Sequence, residues 1–405
     1  MIKYIKTFLR SLLRLYSKLF LPSYRFHKEY VTKIFGSDSS QVLDNKDHFF
    51  VGYYDIDPIS EHGDSILCHR VSEEYTHDIL PNSGDIGLVS ISNGEFIKIT
   101  DTKALNWQLG SRAQWLDSDH IIYNDINNGL QVSKKFNTKN KKLVKEYHRA
   151  FWAISPNKRM GASLNFSRIK EKRPGYGYSG RSIDGEDEIF SLFNLETGHD
   201  EYIISLEELF ENLSFFPDGD DPYLNHVAWS PCSTKLVTIF HIAEHKDLPR
   251  RVYPAIFNLL SKEWQILDTV GFFSHNVWLD SNNILAFRRH NNNLGYCLWN
   301  SEEGWAVINS SMGNKDGHPS PINKTNNVVF DEYPNRLGKM NLYIGSINSN
   351  KSYQSIGYIM NPKEYTGPLR CDLHPRVSKC NSRVICDMPT QKGRKIIMIE
   401  GNYVN

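Results

Sequence analysis

The chain has 405 residues, 40% hydrophobic and 12% aromatic, with a formal net charge of +1. That is enough apolar material for a large core, and the balanced charge excludes both a solvating acidic chain and a globally basic nucleic-acid binder. Six cysteines without a Cys-x-x-Cys pair, several inside apolar runs, point to free thiols in a reducing compartment.

Residues 1–21 are predicted to form an amphipathic helix. Lys3, Lys6, Arg10, Arg14 and Lys18 recur at three- and four-residue steps among Phe8, Leu9, Leu12, Leu13 and Leu19. These cations interrupt any spanning segment, so the helix either lies on an anionic membrane surface or packs on the rest of the protein or on a partner. Pro22 ends it. Residues 22–48 then read as a linker with one strand, at 30–34 or 41–43.

From 49 to 405 one unit recurs: a histidine, an aromatic or apolar residue three positions on, a polar turn, then a strand. Its clearest copy is His226-Val227-Ala228-Trp229-Ser230-Pro231 before the apolar run 236–241. His275, His318 and His374 open three more copies. Ile56, Arg112 and Phe151 hold the same place in three earlier ones, and successive copies lie 39 to 75 residues apart. A period near fifty with strand-type content predicts an all-β, seven-bladed β-propeller. Later strand pairs fit each unit, such as 86–91 with 96–99 across Asn93-Gly94. The last unit is one strand short. An N-terminal strand from 22–48 is expected to supply it and so cover an open sheet edge.

The longest interval holds an insertion at 170–181 carrying Arg173, Tyr176, Tyr178 and Arg181 among glycines. It reads either as a binding flap that stacks on a ligand or as a disordered insertion.

In a propeller the first strand of each blade lines the central channel. His226, His275, His318 and His374 therefore converge as an arc of imidazoles, suited to proton transfer or to a borderline divalent metal. Asp372 points to the same side as His374 and offers a carboxylate. The same histidines also suit hydrogen bonds between blades. Tyr54, Asp55, Arg112 and Gln114 are expected on the opposite wall as substrate-binding residues, with Arg173 and Arg181 clamping an anionic group and Tyr176 and Tyr178 stacking on it.

The segments 225–241, 274–287, 317–330 and 373–398, and most of all His374-Pro375-Arg376-Val377-Ser378 with Arg383-Val384-Ile385-Cys386, resemble the oligogalacturonate lyase family of seven-bladed propellers. The resemblance implies that His226 is a base abstracting the proton beside a uronate carboxylate. It also implies that His275 and His374, joined here by His318 and Asp372, hold a divalent metal, typically manganese. The family's His-Pro-His and nearby glutamine are Asp372-Leu373-His374 in this chain, and no arginine stands just before His226; Arg173 is the catalytic arginine candidate. The front half, with Val51-Gly52-Tyr53-Tyr54-Asp55 and Arg173-Pro174-Gly175-Tyr176-Gly177-Tyr178, looks like bacterial propeller proteins of surface-polysaccharide synthesis.

These readings together predict a carbohydrate-active propeller working on an acidic oligosaccharide or lipid-linked glycan, peripheral to the cytoplasmic face of a bacterial inner membrane. A glycosyl-transferring assembly enzyme and a non-catalytic glycan-binding or scaffolding propeller are the alternatives. No phosphate-binding loop, dinucleotide fingerprint, His-Glu-x-x-His or Gly-x-Ser-x-Gly elbow is present.

Overall fold

The computed structural model describes residues 13–14, 21–36, 47–72, 80–173, 175–182, 187–213, 222–242, 251–268, 272–290, 293–308, 315–348 and 353–404. The helix expected over 1–21 lies outside them apart from Leu13 and Arg14. No described helix is long and apolar enough to cross a membrane.

Seven antiparallel sheets follow one another along the chain. Blade 1 runs over 48–102, blade 2 over 114–147, blade 3 over 153–205, blade 4 over 222–266, blade 5 over 273–307, blade 6 over 319–360 and blade 7 over 376–400. The fold is a seven-bladed β-propeller. Blade 7 contributes three strands of its own, Arg376–Val377, Arg383–Thr390 and Gly393–Glu400. Val31–Phe35 fills its outer edge, pairing Val31 with Glu400 and Phe35 with Ile396. A second N-terminal strand, Tyr24–Phe26, adds a fifth strand to blade 6. At three residues, it is too short to carry an alternation in the sequence.

The repeat has two physical causes. The turn after the first strand is built by one serine, whose N–H and Oγ both bond the residue five positions on. Ser60, Ser155, Ser230 and Ser378 do this with Ser65, Met160, Lys235 and Arg383. The tryptophan three positions after the repeat position, which is Arg112 in blade 2 and a histidine in blades 4 and 5, bolts its blade to the one before. Trp115 donates its indole N–H to Pro58 at 3.0 Å, Trp229 to Ala153 at 3.4 Å and Trp278 to Ala228 at 2.9 Å. Between these bolts the sheets bury apolar faces against one another: Ile66, Cys68 and Val89 of blade 1 pack with Ile385, Ile396 and Met398 of blade 7. All six cysteines are free.

The insertion in blade 3 departs from the expected loop. Asn165 caps a helix, Phe166–Lys172, by accepting the Arg168 N–H at 2.9 Å, and this helix takes in Lys170 to Lys172. Gly175, Tyr176, Gly177 and Tyr178 after it are buried. The segment is a packed plug rather than an exposed flap. A Cβ on Gly177 would stand 2.3 Å from the Phe166 carbonyl, so only glycine lets the chain lie this close to the helix.

Candidate functional site

His226 and His275 lie within the first strands of their blades, Pro222–Trp229 and Phe273–Trp278, and His374 stands two residues before Arg376–Val377. At Arg112, His226 and His374, equivalent positions in blades 2, 4 and 7, the backbone is left-handed, with φ of 57°, 63° and 48°. Non-glycine residues adopt this only when their surroundings enforce it, and such positions gather at functional sites.

The four imidazoles meet. His275 and His318 have ring centres 4.0 Å apart, His318 and His374 4.4 Å, and His226 and His275 6.5 Å. Two residues missing from the expected ligand and base set stand at the centre of the group. Tyr53 lies 4.9 Å from both His226 and His374, and its hydroxyl hydrogen-bonds His226 Nε2. Tyr54 places its ring 5.2 Å from His318, while its hydroxyl donates to the Asn276 carbonyl at 2.9 Å and accepts the Asn276 N–H at 3.1 Å. The ring of Tyr54 thus lines the group while its polar atom is taken by blade 5.

Three of the imidazoles are held by one nitrogen. His318 donates Nδ1–H to Asp331 at 2.9 Å, His275 donates Nδ1–H to Asp316 at 2.9 Å, and His374 donates Nδ1–H to the Gly52 carbonyl at 2.8 Å. A ring fixed this way presents the Nε2 lone pair, as metal-binding histidines do. His374 Nε2 is buried without a hydrogen-bond partner among the described residues. A ligand atom from each of His318, Asp372 and His374 lies within 4.8 Å of the others, all three residues being buried. Two imidazoles and a carboxylate form a donor set for a borderline divalent metal, so the residues fit one. His275 stands beside this triad, against His318.

The charges around the group are uneven. Burial opposes a proton on His318, yet Asp331, then Asp372 and Asp316, outweigh it and raise its affinity above the ordinary histidine value. Burial, with His318 and Arg376, holds His374 well below it. At the other end burial, then the Arg173 cation, holds His226 well below it, so His226 is a neutral imidazole at pH 7. Burial works against the Asp331 and Asp316 carboxylates, but His318 and His275 lower both.

The remaining expected site residues divide. Arg173 and Tyr176 reach the site: the Arg173 guanidinium lies 4.2 Å from the Tyr176 ring centre, and the Tyr176 hydroxyl accepts from Arg370 at 2.6 Å. Arg370 also donates to Asp372 at 2.9 Å, tying the plug to the triad. Nothing in the spacing singles out Arg370. Arg112 grips Asp55 through both terminal nitrogens at 2.8 and 2.7 Å and gives its Nε–H to the Trp152 carbonyl at 2.6 Å. These two residues, expected to bind substrate, instead join blades 1, 2 and 3. Tyr178 donates to the Gly110 carbonyl at 3.1 Å and packs on Phe166, a placement that burial of the plug requires. Gln114 lies in a two-residue strand, paired with Ile122, and the exposed Arg181 bridges to Leu130 on blade 2. Gln114, Tyr178 and Arg181 make no hydrogen bond or ring contact with the imidazoles among the described residues.

The ring of sheets is similar to solved propellers. An oligogalacturonate lyase in complex with manganese matches with a TM-score of 0.61 at 9% identity, over 92% of this chain and 96% of the other. An oligogalacturonate lyase from Vibrio parahaemolyticus matches with a TM-score of 0.59 at 11% identity, over 92% and 96%. The hydrazine synthase of Kuenenia stuttgartiensis matches with a TM-score of 0.50 at 10% identity, over 91% and 99%. No family model and no curated protein sequence matches the chain. At these identities the likeness establishes the fold, and the chemistry has to come from the site.

Proposed function

We propose that the protein is a carbohydrate-active propeller that cleaves an acidic glycan by β-elimination at a uronate. One observation carries this reading: a neutral, buried imidazole, His226, faces across Tyr53 toward a metal-ligand triad of His318, Asp372 and His374. The similarity to structures titled as oligogalacturonate lyases, one with manganese, supports it.

In this reading His318, Asp372 and His374 hold a divalent ion, with His275 adjacent. When bound, such an ion neutralises the uronate carboxylate and the negative charge that develops as the adjacent proton leaves. With His226 donating Nε2–H to the Tyr53 oxygen, Nδ1, which has no partner among the described residues, carries the lone pair that takes the proton. The C–H electrons form the new double bond, the C–O bond breaks, and the glycosidic oxygen leaves with that electron pair and takes a proton from solvent. Asp331 and Asp316 fix the orientation of His318 and His275. Arg370 holds Asp372 in place from the second side. Arg112 and Asp55 neutralise each other and hold blades 1 to 3 around the base.

The test is incubation with oligogalacturonate and manganese while the ultraviolet absorbance of an unsaturated uronate is followed. Absorbance should rise with the wild type and not with His226→Ala. A flat trace from metal-loaded wild type across pectic and other uronate-containing oligosaccharides overturns the reading.

A further inference from the structure

The imidazole group has two chemically opposite ends. Beside His275, His318 and His374 stand three carboxylates, Asp316, Asp331 and Asp372. Around His226 the balance reverses. Arg173 and Arg112 are the cations that act on it, and Arg112 is paired with Asp55. Hydrogen-bond donors are left over at this end. Trp152, fully buried and 5.5 Å from the His226 ring, has no acceptor for Nε1. Asn225, also fully buried, gives its oxygen to the His226 N–H at 3.0 Å and has no acceptor for Nδ2. Arg173 Nη1 is buried without a partner. None of these absences is relieved by any described residue.

A buried donor left unpaired is costly, more so when charged, so three at one end of one group are better explained by a ligand than by chance. Trp Nε1 and Arg Nη1 donate only, so the group they meet must accept, and a carboxylate offers several lone pairs and a charge opposite to that of Arg173. We propose that Arg173, Trp152 and Asn225 form an anion subsite that holds a carboxylate at the His226 end independently of any metal. The subsite deepens the lyase reading and rests on it only for the choice of a uronate as the acid. A ligand with two acidic groups, such as an oligouronate, would reach both ends, one group on the ion and one on these donors.

The test is calorimetric titration of chelator-treated full-length protein with sodium galacturonate, its methyl ester and galactose. Galacturonate should bind at least tenfold more tightly than either neutral sugar, and Arg173→Ala and Trp152→Phe should each weaken it by tenfold or more. Trp152→Phe removes the N–H while keeping an aromatic, though smaller, ring and decides the matter if Arg173→Ala fails to fold. Equal binding of acid and ester, affinities within twofold of wild type in both variants, loss of binding on chelation, or no binding at all would each overturn the subsite. A flat lyase assay beside intact galacturonate binding would sink the lyase reading and leave the subsite standing.

Discussion

Asp331 receives the Nδ1–H of His318 at 2.9 Å and, through its second oxygen, the backbone N–H of His374 at 3.3 Å. One carboxylate therefore orients two of the three triad members. Asp331→Asn is expected to lower affinity for manganese by about 10–100-fold, the usual effect of losing such a partner. Competition with a fluorescent chelator measures it. An unchanged affinity would mean that His318 needs no such support.

Gly52 has φ of 121°, and a Cβ there would lie 2.6 Å from the Leu109 carbonyl oxygen. Its own carbonyl takes the Nδ1–H of His374. Gly52→Ala should cost roughly 1–3 kcal/mol in denaturant unfolding and should weaken metal binding as well, because His374 and Tyr53 move with it.

The indole bolt between Trp278 and Ala228 is open to a graded test. Trp278→Phe keeps an aromatic ring but loses one hydrogen bond, and about 1 kcal/mol of stability should go with it. Trp278→Ala also empties a buried space and should cost about 3–5 kcal/mol. Equal losses in the two variants would mean that the bond contributes nothing.

His69 is fully buried, with Nε2 accepting the Ser111 N–H at 3.0 Å, and burial holds its proton affinity at about 4. The unfolded chain, with a value near 6.5, takes up the proton first as pH falls. Stability from this group is therefore whole above about pH 6.5 and is lost down to about pH 4, by roughly 3 kcal/mol at about 1.4 kcal/mol per pH unit. Chemical denaturation at pH 7, 5.5 and 4 should show the slope, and His69→Asn should reduce it.

The ring of sheets was legible because two signals recur at fixed spacing. The serine turn and the aromatic bolt are local, repeated, and each demanded by a backbone bond. The convergence of the histidines follows from those signals. Tyr53, Arg370 and Asp331 were harder to see as site residues, since each reaches the chamber from a different place within its blade. Tyr53 precedes the repeat position in blade 1, Arg370 lies in the approach to blade 7, and Asp331 ends the second strand of blade 6. The plug was misread for another reason. Glycines and tyrosines at 175–178 signal an exposed loop, and here the glycines instead allow the tyrosines to be packed under a helix. Arg112 and Asp55 carry the charges of a binding pair, and only their distance in space reveals that they satisfy each other.

The strands Tyr24–Phe26 and Val31–Phe35 find their partners in blades 6 and 7, at Gly357 to Ile359 and Ile396 to Glu400. During synthesis they emerge before every blade they complete, and must wait unpaired while nearly all the intervening chain is made. Sealing the circle is thus the last event of assembly and carries the largest loop-closure cost. A half-made or slowly sealing molecule presents two bare strand edges, at which a second copy's arm competes with its own.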